Sequence, residues 1–155
     1  MNLLVILQYL LWSGIAAIGF AVLFNVPPKT LIPCFICGAS GHAFRTILME
    51  LGMSITVGTL AGASMVGLLG AYFARRYETP SLVFAICGAI PMVPGAFAFR
   101  AMLGVIRISQ ATPAAGEPIL MEAAINFINT GLILAAIALG IAMPTLLFRR
   151  RKPVV

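Results

Sequence analysis

Five long apolar runs, separated by short turn signals and nearly free of charge, decide most of what this chain can become. They lie at about 2–24, 31–51, 54–75, 80–109 and 118–147. Each is close to or above the roughly 20 apolar residues that a helix needs to cross a bilayer. Only 9% of the 155 residues are charged, against about a quarter in a soluble domain. A water-exposed surface cannot be assembled from so few. The expected fold is an all-α integral membrane protein with about five transmembrane helices in one bundle. Residues 1–155 then form a single transmembrane domain, with 148–155 a basic cytoplasmic tail. The first run lacks the basic start and the short apolar core of a cleavable signal, so it is read as a retained helix.

Turn chemistry and charge fix the expected order of crossings. Asn25-Val26-Pro27-Pro28-Lys29 reads as a tight turn, because consecutive prolines remove backbone donors and exclude helix for the residue before them. Further turns are expected at Gly52 to Ser54, Tyr77 to Pro80 and Thr112 to Pro118. Four of the ten basic residues are the run Arg149, Arg150, Arg151 and Lys152, just after the last apolar span. If that run is cytoplasmic, five crossings put Lys29, Arg75 and Arg76 on the same side and leave Arg107 alone among the outer loop residues. The positive-inside rule is then met at every loop, and the N-terminus is periplasmic.

The same inventory narrows the chemistry. The net charge of +6 sits largely in the tail, where it sets orientation or attracts anionic membrane lipid; nucleic acid is not an expected partner. Every acid is a glutamate (Glu50, Glu78, Glu117, Glu122), so an aspartate-based relay or metal site would need another chain. Cys34, Cys37 and Cys87 fall inside apolar segments, and Cys34-x-x-Cys37 lacks a second ligand pair, so they read as small buried residues and neither metal nor cofactor is expected. Catalysis is not expected either. His42 is the one histidine, and Ser40, two residues away, projects about 200° around a helix from it.

The third run carries two adjacent stripes of small residues, one containing Gly58, Gly62 and Gly70 and the other Ala63 and Gly67. Small residues let helix backbones approach closely in lipid, so both stripes read as helix packing. On the second run Cys34, Gly38, Gly41, His42 and Arg45 share one helical face that must look into protein or water.

Polar groups inside a membrane are costly and mark either a pathway or a structural pair. His42, Arg45, Arg100, Asn126 and Asn129 are the candidates. In the fourth run Pro91, Pro94 and Gly95 predict a break, with a second half-helix starting near Pro94 or Gly95. Its free N–H groups and positive dipole end suit an anionic solute group. Arg100 lies about one and a half turns further, at a depth comparable with Arg45. Two fixed cations and a helix start would take one or two carboxylates; the other reading pairs each arginine with a glutamate or with carbonyls at the break. Glu122, Asn126 and Asn129 share a face that suits a solute or capped carbonyls equally. His42 is a candidate proton carrier or a structural hydrogen-bond partner.

The segments "GFAVLFNVPPKTLIPC" (Gly19 to Cys34), "GASGHAFRTILMELG" (Gly38 to Gly52) and "GAIPMVPGAFAFRAM" (Gly88 to Met102) resemble the threonine/serine exporter (ThrE) family. The length, the "ISQ" at Ile108 to Gln110, Glu117-Pro118 and Asn126-Phe127 are closer to its short YjjB-type subunit than to fused, full-length members. The resemblance implies a bacterial inner-membrane protein that works with a YjjP-type membrane subunit, a pair implicated in succinate export, while full-length relatives export threonine and serine. Two intramembrane arginines suit a dicarboxylate such as succinate better than a zwitterion. The competing expectations are an amino acid exporter subunit, and a structural scaffold whose partner holds the whole path. More than one copy of this chain in the complex, as a homo-oligomer, fits either. The orientation has a direct check. A fluorescent protein fused after Val155 should fluoresce and alkaline phosphatase fused there should stay inactive, whereas the opposite pattern would place the tail outside.

Overall fold

The computed structural model describes residues 3–110 and 113–148, and among them all regular structure is helical. The helices are α1 (Leu3–Leu23), α2 (Leu31–Glu50), α3 (Ile55–Tyr77), α4 (Ser81–Ala89), α5 (Gly95–Ile108) and α6 (Pro113–Phe148), with 3-10 turns at Pro28–Thr30 and Ile90–Met92. Four stretches, α1, α2 with its preceding turn, α3 and α6, are long and apolar enough to span a membrane, and a fifth arises if the broken pair α4/α5 makes one crossing. The protein is an all-α membrane protein.

The ends of the first three helices are written in local chemistry. After α1 the Val26 N–H donates to the Ala21 carbonyl and the Asn25 N–H to Val22, with Asn25 at φ 54°. After α2 the Met53 N–H reaches Leu48 and the Gly52 N–H reaches Met49, with Gly52 at φ 87°. After α3 the Thr79 N–H donates to Ala74 behind Glu78 at φ 51°. Each closes orphan carbonyls through one left-handed residue, the device that stops a helix without a proline. Ser54 then opens α3, its hydroxyl accepting from the Val57 N–H.

Two local expectations change. The expected turn from Thr112 to Pro118 is largely helix, because Pro113 takes the first position of α6, where its missing N–H costs nothing. Arg107 is a residue of the last turn of α5 and not of a loop. The basic run from Arg149 to Lys152 lies outside the described residues.

The chain divides into two compact units, residues 1–92 with 136–155, and residues 93–135. In the first, α2 is the centre and packs against α1, α3 and α4. Gly58, Thr59, Gly62, Ala63, Val66, Gly67 and Gly70 of α3 are all buried. A methyl group added at Gly62 would sit 2.6 Å from the Gly41 carbonyl oxygen and 3.1 Å from the Arg45 Cβ and the Met92 Sδ. One added at Gly140 of α6 would meet the Ala63 Cβ at 2.6 Å and the Leu60 carbonyl at 2.8 Å. Backbones therefore approach closely along both edges of α3, which supplies the dispersion contacts that hold helices together in lipid. Large apolar side chains face outward instead: Leu4, Trp12, Leu23, Ile32 and Leu82 are 61–73% exposed. That is the reverse of a soluble core and fits lipid or a membrane partner.

The second unit pairs α5 with the first part of α6, and a methyl group added at Gly104 would meet the Ala123 Cβ at 2.5 Å. Gly131 on α6 has open space around it. Gly62→Ala should therefore destabilise the detergent-solubilised protein by about 1–3 kcal/mol, the usual cost of overpacking. Gly131→Ala should be neutral or stabilising by up to about 1 kcal/mol, because glycine is a poor helix former. Thermal melts of the two variants against wild type check the contrast.

Candidate polar cavity and the helix break

The break in the fourth run follows from its prolines. α4 stops at Ala89, Ile90–Met92 forms a single 3-10 turn, and α5 begins at Gly95. A helix end leaves up to four carbonyls without intrahelical partners, and in lipid no water is at hand to take them. Arg45 on α2 answers one: its guanidinium Nη1 donates to the Met92 carbonyl at 3.0 Å. The approach is possible because Gly41 and Gly62 let α2 and α3 close around Met92, which is fully buried. Among the two readings open for Arg45, the geometry supplies the backbone partner.

His42 is half-buried on the same helix, with the Pro91 carbonyl beside its imidazole and the Tyr9 ring 5.9 Å away, centroid to centroid. Its buried Nδ1 has no hydrogen-bond partner among the described residues. Cys34, Cys37 and Cys87 are free thiols buried at the meeting of α2 and α4. Among the described residues no group of three His, Cys, Asp or Glu side chains is placed to hold a metal ion.

The residues expected further along fall in the second unit. Gly95 opens α5; its N–H donates to Val93 at 2.9 Å, the Ala98 N–H donates to Pro94 at 3.1 Å, and no side chain caps this end. Arg100 lines a cavity of about 230 Å³ with Leu103, Gly104, Arg107, Ile119, Glu122 and Ala123. That is room for several waters or a small solute. Arg100 and Arg107 lie seven residues apart, two turns, so both project from one face of α5, and Glu122 comes from α6 across the seam. No ion pair joins Glu122 to either arginine among the described residues. On the far side of the seam the lining turns apolar, with Ala98, Met102, Val105 and Phe127 around a wider groove.

Asn126 is buried, and its Nδ2 donates back to the Glu122 carbonyl of its own helix at 2.9 Å; Asn129 is partly exposed. One amide donor of Asn126 is therefore committed to the helix. The α6 helix has 36 residues and is hence about 54 Å long, longer than the 40–45 Å of a whole bilayer.

Arg107 is the residue that reading the sequence by spans missed, because it was assigned to a loop. The seven-residue spacing from Arg100 is the signal that finds it. For Arg45, replacing the guanidinium by glutamine should lower stability by about 1.5–3 kcal/mol, the usual worth of a hydrogen bond to a charged group. A melt that is unchanged while transport is lost would instead assign Arg45 to the solute path.

The sequence profile described as "Threonine/Serine exporter, ThrE" matches residues 9–147. An uncharacterised protein of Haemophilus influenzae is 39% identical over 153 residues, covering 99% of this chain and 51% of its own length. The chain thus spans about half the length of that curated relative. No solved structure matches. With a match over most of its length, this multi-pass membrane protein belongs to the threonine/serine exporter (ThrE) family.

Proposed function

We propose that the chain is one membrane half of an exporter for small carboxylates, succinate being the first candidate, and that it acts with a YjjP-type subunit in the bacterial inner membrane. The observation that carries this reading is the pair Arg100 and Arg107, lining one cavity on one face of α5 without an ion pair to Glu122 among the described residues. Cations held open in a membrane protein, beside room for a small solute, suit a carboxylate better than they suit packing. Half-length coverage of the Haemophilus influenzae relative supports a second half supplied alongside this one. With the tail cytoplasmic and five crossings, the start of α6 that carries Glu122 lies toward the periplasm.

A second solute class has a specific observation in its favour. Glu122 shares the cavity with the two arginines, and a carboxylate there complements the ammonium of threonine or serine, the solutes named in the family description. Co-expression with the partner in a host lacking both, with efflux of succinate and threonine measured and membrane abundance checked, tests the reading. Arg100→Gln and Arg107→Gln should each lower efflux at least tenfold at unchanged abundance. Efflux that is unchanged, or that falls only in step with abundance, would put the path elsewhere and leave this chain a scaffold.

A further inference from the structure

We propose that Glu122 is the specificity-determining residue of the cavity, setting whether it takes a solute with two carboxylates or one with a carboxylate and an ammonium group. This rests on the exporter reading above. Three charged side chains line the cavity, two cations from α5 and one carboxylate from α6. A structural trio would close on itself, with the carboxylate bridging the guanidinium groups. Here no ion pair joins them among the described residues and about 230 Å³ stays open. The set is therefore arranged around a space and not around itself.

Complementarity then follows from charge alone. A solute carboxylate placed on Arg100 or Arg107 leaves its other end facing Glu122. If that end is an ammonium group, Glu122 attracts it; if it is a second carboxylate, Glu122 repels it, and the dicarboxylate loses much of what the second arginine offers. Specificity of this kind is built as much from the repelled solute as from the accepted one. Neutralising this one position should remove the repulsion and shift the cavity's preference further toward dicarboxylates. The backbone is not at stake, because Asn126 donates to the Glu122 main-chain carbonyl and not to its side chain.

The test uses the two-subunit complex in cells lacking both chains, reading succinate and threonine efflux from the same culture. The ratio of the two is independent of how much complex reaches the membrane. Glu122→Gln should raise the succinate-to-threonine ratio at least tenfold, while Glu122→Asp, which keeps the charge, should hold it within about threefold of wild type. A ratio unchanged in Glu122→Gln, or both effluxes falling in parallel, overturns the assignment. Arg100→Gln in the same experiment separates the two levels. If it abolishes both effluxes while the Glu122→Gln ratio stays put, only the role of Glu122 falls; if it changes neither, the cavity is off the path and both readings fall.

Discussion

The hydrogen bond from Arg45 to the Met92 carbonyl answers the hardest constraint on this chain. Inside a bilayer every backbone polar group needs a partner from the protein, and Pro91 and Pro94 forbid the fourth run from supplying its own. A cation on a neighbouring helix is a strong remedy, because a guanidinium donates charge-assisted bonds and cannot be deprotonated away. The rest of the first unit is arranged to let that arginine arrive. Gly41 and Gly62 thin the α2/α3 contact to backbone distance, Met92 fills the gap beneath, and Gly38 lets α2 lie against Ala17 of α1. The glycines of α2 and α3 and the arginine of α2 are one device, a break in a membrane helix made tolerable.

The break in turn releases α5 to do something a spanning helix could not. With 14 residues α5 is too short to cross alone, so one of its faces is free to carry Arg100 and Arg107 while the opposite side stays apolar. α6 meets it at the Gly104/Ala123 seam and contributes Glu122 to the cavity. The result is a charged recess held between two helices. Arg45 is tied to the helix break, whereas Arg100 and Arg107 line an open cavity, although all three are the same residue type.

Much of this was legible in the residues. The apolar runs placed the helices, and Pro91, Pro94 and Gly95 placed the break, since both depend on local chemistry. The stripes on the third run identified a face that is buried throughout, from Gly58 to Gly70. The partner of Arg45 was only half legible: backbone carbonyls at the break were one of two readings, and spacing along one helix says nothing about which carbonyl on another will be reached. Arg107 was lost for a different reason. The charge count treats a cation close to the end of an apolar run as a loop residue, whereas Arg107 lies within the run and the helix continues through it to Ile108. The cavity itself needs α5 and α6 to meet, which is a property of two faces and not of either sequence segment.

The central question is whether the Arg100–Arg107 face of α5 is wet and solute-lined. Two adjacent positions decide it: Leu103 lines the charged cavity and Met102 the apolar groove on the other side of the seam. In the assembled complex, with Cys34, Cys37 and Cys87 replaced by alanine, Leu103→Cys should react rapidly with a charged, membrane-impermeant thiol reagent and be slowed by added succinate or threonine, while Met102→Cys stays unreactive. Equal labelling of the two positions, or labelling of Leu103→Cys that neither solute slows, would contradict it.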